Sequence, residues 1–151
     1  MAFKTLRILV FVVAALVPAA FGQATPAPGE VSRNVPAFVR ASAAFAEVIY
    51  RRAVLETELE ELLVRYTNDF PRVAEKRFEL AELELALATL LGIPEEESSK
   101  LTLALGKMLI QRAEYATELD TLKRKYSESH PEVKRAAKKV EIFDRAIKSI
   151  L

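Results

Sequence analysis

The 151-residue sequence contains no cysteine, four glycines and one histidine. Without cysteine there can be no disulfide, no thiolate metal site and no cysteine nucleophile. A lipid attached through an N-terminal cysteine is excluded too, and with it the bacterial lipoprotein class. Four glycines are too few for a loop-rich fold, and none belongs to a glycine-rich phosphate loop. The lone histidine, His130, stands before Pro131, so there is no HExxH zinc motif and no histidine beside a nucleophile pattern. Three consecutive glutamates, Glu95 to Glu97, lack the alternating Asp/Asn ligands and turn glycine of a calcium loop. These absences predict a chain without catalytic residues, metal ligands, cofactor or small-molecule substrate.

Long apolar runs are also scarce. The longest uninterrupted one is Ile8 to Val17, half of the roughly 20 residues that a spanning helix needs. It follows Lys4 and Arg7 and precedes Pro18, Ala19, Ala20, Phe21 and Gly22. A basic start, a short apolar core and small residues before a cut are the marks of a secretory signal. Residues 1–22 are therefore predicted as a signal peptide, which places the mature chain, from Gln23, in the periplasm or outside the cell. A retained anchor is the competing reading and needs the run stretched to Phe21. Removing residues 1–22 leaves 20 Lys+Arg against 21 Asp+Glu, a balance that argues against a nucleic-acid partner. Residues 23–34, with two prolines, a glycine and no periodicity, read as a flexible leader.

What the sequence has in abundance is helical pattern. With 51% hydrophobic and 28% charged residues there is enough apolar surface for a packed core. Phe38, Ala41, Phe45, Val48, Arg52, Leu55, Leu59, Leu62 and Tyr66 alternate steps of three and four, the seam of a coiled coil. Adding 60 to each number gives Ser98, Leu101, Leu105, Met108, Arg112, Tyr115, Leu119, Leu122 and Tyr126 in the same frame. From residue 52 to 73, nine of 22 positions are identical to their counterparts. Each seam ends in a related stretch, Tyr66 to Val73 (YTNDFPRV) and Tyr126 to Val133 (YSESHPEV), where polar residues interrupt the heptads and Pro71 or Pro131 stands ready to open a helix. The descending arms repeat as well: Val73, Leu80, Leu83, Leu87 and Leu90 match Val133, Val140, Phe143, Ile147 and Ile150.

The expected fold is all-α: two tandem antiparallel helical hairpins, residues 35–91 and 92–151, in a coiled-coil-like four-helix arrangement. Gly92 and Pro94 should separate them, the glycine as a left-handed cap and the proline as the start of the next helix. Tyr66 and Tyr126 should pack on Val73 and Val133 at the tips, with His130 as a cap or packing residue. Arg52 and Arg112 share one seam position, where an arginine either lays its stem along the seam with its head in solvent or fixes register and partner.

Two features bear on partners. Pairing Tyr66 with Val73 leaves residues 36 to 47 without an opposing arm, and residues 96 to 107 likewise. Phe38, Ala41 and Phe45 would then form an exposed seam, so self-association or capture of an envelope protein helix is expected there. Residues 23–91 carry a net charge of −3 and residues 92–151 a net of +2, which favours the hairpins lying together. Lys134, Arg135, Lys138 and Lys139 could also meet an anionic polysaccharide or lipid headgroups, although Glu132, Glu141 and Asp144 balance them.

The run Leu119, Leu122, Tyr126, His130, Pro131, Glu132, Val133 resembles the helical hairpin in the periplasmic part of polysaccharide chain-length determinant and exopolysaccharide transport proteins, where a pattern like LxxxYxxxHPxV marks the reversal of a long coiled coil. In the first repeat Phe70 replaces the histidine. The resemblance covers only the hairpins and implies a periplasmic coiled coil used in assembly. Small periplasmic helical chaperones of the stress-response type are the alternative. Their LTxxQ repeat is incomplete here, since Leu101 and Thr102 are followed by Leu103, Ala104 and Leu105.

Overall fold

A computed structural model describes residues 35–151. The signal peptide and leader expected over residues 1–34 lie outside the described residues. Those described form α1 (Ala37–Arg40), α2 (Ala43–Leu63), α3 (Pro71–Leu91), a 3-10 segment (Glu95–Lys100), α4 (Leu103–Lys123) and α5 (Pro131–Ile150). Strands are absent among them. No helix among them is long and apolar enough to cross a membrane.

Local chemistry sets the boundaries and repeats at the same spacing of 60. Ser42 and Thr102 stand just before α2 and α4, and each side-chain oxygen accepts a hydrogen bond from the backbone N–H three residues on, Phe45 and Leu105, at 3.2 Å in both. Such a cap satisfies a donor that the first turn leaves unpaired. Pro71 and Pro131 open α3 and α5. The two reversals close alike: Tyr66 N–H donates to Leu62 at 2.8 Å and Tyr126 N–H to Leu122 at 2.9 Å.

Ion pairs give the directions of the helices. Lys76–Glu58 and Arg52–Glu84 run α2 antiparallel to α3, and Lys139–Glu118 with Arg112–Asp144 does the same for α4 and α5. α4 also lies in the groove between α2 and α3, packed on both, while α5 packs chiefly on α4. The core is where α4 fills that groove: Val48, Leu55, Leu83, Leu90 and Leu105 are fully buried, with Leu87, Leu109, Ala113 and Ile147 beside them. Each such aliphatic side chain contributes about 2 kcal/mol of burial.

Three expectations are overturned. The arms are equal, 21 residues each in α2, α3 and α4 and 20 in α5, so no 12-residue overhang exists. The helix that the heptads carried back to Phe38 is broken at Ala41 and Ser42, because the Ser42 hydroxyl caps α2 and also donates to the Val39 carbonyl at 2.7 Å; a serine bonding to local backbone competes with helix continuation. Residues 35–40 instead fold over the base of the bundle and bury Val35 and Val39 with Ile93 and Leu101. Gly92 is right-handed, at φ −77° and ψ −9°, not a left-handed cap. Pro94 is followed by a 3-10 segment, and α4 waits until the Thr102 cap.

Candidate functional site

Polar side chains gather where α4 meets the first hairpin. Glu79 of α3 is 6% exposed and accepts two hydrogen bonds from Arg51 of α2, from Nε at 3.1 Å and Nη2 at 2.5 Å. Arg51 also reaches Glu114 of α4 at 3.1 Å, which Gln111 Nε2 holds from the other side at 2.8 Å. The two charge-assisted bonds, both to Glu79 Oε1, offset the desolvation of the carboxylate, and Arg51 ties three helices at one point. Further toward the tips Thr121 donates to Glu75 at 3.5 Å.

Arg52 and Arg112 are not solvent-facing heads on apolar stems, which corrects the simpler of the two readings of their seam position. Arg52 pairs with Glu56 at 2.9 Å and with Glu84 of α3 at 3.2 Å. Arg112 pairs with Asp144 of α5 at 3.0 Å, and Asp144 is the counterpart of Glu84. The same cross-hairpin bridge is thus made twice. Arg112 adds a second bond to Glu82 of α3 and so joins the two hairpins.

The tips differ from expectation. Tyr66 and Tyr126 are about half exposed, at 44% and 45%. Tyr66 stacks on Phe70 with ring centres 4.0 Å apart, and Tyr126 stacks on His130 at 4.2 Å. Val73 and Val133 are buried in the helix contact below. His130 also caps α5, its Nδ1 accepting from the Glu132 N–H at 3.3 Å. The ring four residues on gives each tyrosine a stacking partner.

At the base, Ala41 is exposed, while Phe38 and Phe45 are partly buried against the core. They lie in the closed end of the bundle and are not brought near Arg52 or Arg112 by any bond. Between α2 and α3 near the first tip is an open cleft of about 860 Å³, lined by Arg65, Tyr66, Arg72, Glu61 and Glu75 among others. A second, of about 300 Å³, lies between α3 and α5 over α4 and is apolar at Leu85, Ala86, Leu109, Ile147 and Leu151. Among the described residues no group of His, Asp or Glu is placed to hold a metal ion.

Sequence reasoning missed Arg51, Glu79, Glu114 and Gly106. Gly106 was detectable, since a glycine inside a helical pattern marks a close backbone approach. A β-carbon there would stand 2.9 Å from the Ala44 α-carbon and carbonyl oxygen. The other three were not: these surface-type charges meet, and Glu79 becomes buried, only once three helices are assembled. Compared with family models, curated proteins and solved structures, the chain matches none.

Proposed function

We propose that the chain is a non-enzymatic, exported interaction module made of two tandem copies of one coiled-coil hairpin. The observation that carries this reading is the use of the repeat. The groove of the first hairpin receives a helix, α4, and the second hairpin offers the corresponding groove with no helix in it among the described residues. A surface that receives a helix once is suited to receive another. The polar clusters support the same view, because Arg51, Arg52 and Arg112 are each engaged by carboxylates of neighbouring helices. They hold helices together.

Export rests on residues 1–22 and their signal pattern, and periplasmic or extracellular placement follows from it. The resemblance of the second tip to chain-length determinant hairpins gives envelope or exopolysaccharide assembly as the setting. The Tyr126–His130 stack at the reversal is consistent with a shared turn, and no chain-length control is carried over. The partner is a protein helix from the envelope or another copy of the chain. Anionic polysaccharide or lipid headgroups at the α5 lysines are secondary to it. Crosslinking in intact cells, followed by identification of the captured protein, tests the reading: a specific partner or self-adduct is expected. An uncrosslinked chain with its N-terminus intact and embedded in membrane would overturn both interaction and export.

One observation favours a chaperone as the second reading. The cleft between α3 and α5 exposes Leu85 at 58% and Leu151 at 40%, apolar surface of the kind that holds unfolded segments. Suppression of aggregation of an unrelated unfolding protein, at stoichiometric ratio, would favour it over the scaffold.

A further inference from the structure

The internal junction defines two complementary surfaces. On the receiving side, α4 is touched by Ala44, Glu47 and Arg51 of α2 and by Glu75 and Glu82 of α3, with Glu79 and Ala86 buried beneath it. On the inserting side, α4 buries Leu105, Gly106, Leu109, Ala113 and Ala116. Both surfaces recur 60 residues away, with no helix seated on them among the described residues. The second hairpin presents Ala104, Lys107, Arg135, Lys139, Ile142 and Ala146 where the first has Ala44, Glu47, Glu75, Glu79, Glu82 and Ala86. The outer face of α2 presents Phe45, Ala46, Ile49, Ala53 and Glu56 where α4 has its buried set.

Exposure follows occupancy. Glu79 is 6% exposed under α4, whereas the Lys139 side chain is 44% exposed and Ile142 is 47% exposed. Charge inverts across the same positions, glutamates becoming Lys107, Arg135 and Lys139, and Glu82 becoming isoleucine. The open groove is thus lined by Ala104, Ile142 and Ala146 with Lys107 at the base, and by Arg135 and Lys139 toward the tip. Along α2 the order matches: Phe45 and Ile49, each only partly buried against the core, with exposed Ala46 and Ala53 toward the base, then Glu56, Glu60 and Glu61 toward the tip.

We propose that the molecule associates head to tail, the outer face of α2 of one copy seating in the α4/α5 groove of the next and repeating the junction between its own hairpins. The proposal rests on the interaction reading above and names its partner as a second copy. Ala104, Ile142 and Ala146 meet the apolar start of α2, and the acidic end of α2 meets Arg135 and Lys139, which favours this occupant by charge. Because the two surfaces differ, the contact is heterologous and leads to rings or open chains rather than a closed two-fold dimer. Its fit is looser than the internal one at a single place. Ala46 stands where α4 has Gly106, so its β-carbon holds the helices apart where Gly106 lets α4 approach Ala44.

The test is sedimentation velocity on the purified exported protein over a concentration series. Two variants each disable one surface at an exposed position, Ile142→Glu in the groove and Ala53→Arg on α2, with circular dichroism confirming that both remain helical. The parent should form a concentration-dependent series, and each variant alone should weaken association at least about tenfold. An equimolar mixture of the two should form a 1:1 dimer and nothing larger, since each retains one intact surface. Ala46→Gly should tighten the parent's assembly. A parent that stays monomeric, or a mixture that forms no dimer while the parent associates, overturns the head-to-tail proposal. If the monomeric parent still yields a specific envelope protein on crosslinking in cells, the interaction reading stands; if it captures nothing, both fall.

Discussion

The helix pairs α2/α3 and α4/α5 share a Ser or Thr cap before the first helix, similar reversals and nearly equal lengths, yet one pair is covered by a further helix and the other is not among the described residues. Position 79 and position 139 illustrate the difference. Glu79 is buried and held by Arg51, which itself bridges to a third helix. Lys139 leans over the Tyr115 ring at 5.0 Å and pairs with Glu118 in solvent. A repeated backbone therefore does not dictate equivalent roles. What a residue costs or contributes depends on whether a neighbouring helix lies over it, because the same ion pair is screened in water and strong under cover.

The largest expected contrast is at the close helix approach. Gly106→Val forces a side chain into the Ala44 backbone and should destabilise by about 2 to 3 kcal/mol, the range for overpacking a tight contact. Ala46→Val, at the equivalent position on the open face of α2, should move a chemical denaturation midpoint far less. Equal effects would mean that the α2–α4 contact is not the tight one.

Next comes the buried carboxylate. Glu79→Ala leaves Arg51 with Glu114 alone and should cost about 2 kcal/mol, below the value for a fully buried pair because Arg51 keeps that partner and access to solvent. Lys139→Ala should leave the midpoint nearly unchanged. Urea unfolding of both variants side by side measures the comparison, and a larger loss for Lys139→Ala would reverse it.

The tips should behave alike, and modestly. Tyr66→Ala and Tyr126→Ala each remove a half-exposed ring stacked on one partner, worth about 1 kcal/mol, rather than the roughly 3 kcal/mol of a well-buried aromatic. Differential scanning calorimetry should find similar small shifts. A large one at Tyr126 alone would show that the His130 cap depends on the stack.

The smallest effect is a pH dependence peculiar to the second hairpin. The hydrogen bond from Lys139 to Glu118 holds the lysine's pKa above its ordinary value of 10.5, with burial opposing it. The folded state therefore favours the protonated form. Its contribution is present below pH 10.5 and is lost as pH rises through the raised value. Comparing the parent with Lys139→Met on either side of that pH should show a slightly steeper alkaline loss in the parent. The Glu141 carboxyl, held low by its hydrogen bonds from Lys138, acts in the opposite sense: its contribution is present above the ordinary value and fades as pH falls through the lowered one.

Reading residues 38 to 66 as an uninterrupted seam illustrates how far the sequence was legible. The apolar spacing is real, and Val48 and Leu55 are buried as it requires. Yet the spacing carried through Ala41 and Ser42, where one hydroxyl ends the helix. Apolar period reports a face and says nothing about a cap. The turns were legible because proline acts locally: Pro71 and Pro131 both open helices. Arg52 and Arg112 were recognised as equivalent, but the carboxylates that hold them were not legible, since Glu84 and Asp144 lie 32 residues further along the chain.

By itself the sequence determined the helical class, the 60-residue repeat, the positions of the two reversals and the lack of thiol, metal-motif and phosphate-loop chemistry. These follow from local geometry, in which helix period and proline's fixed φ act over one or two turns. Only the tertiary structure decided that α4 lies in the groove of the first hairpin, that residues 35–40 close the base, and that Glu79 is buried while Lys139 is not. Those outcomes depend on contacts between helices remote in sequence, where burial and charge pairing are set by what lies overhead and not by what is adjacent in the chain.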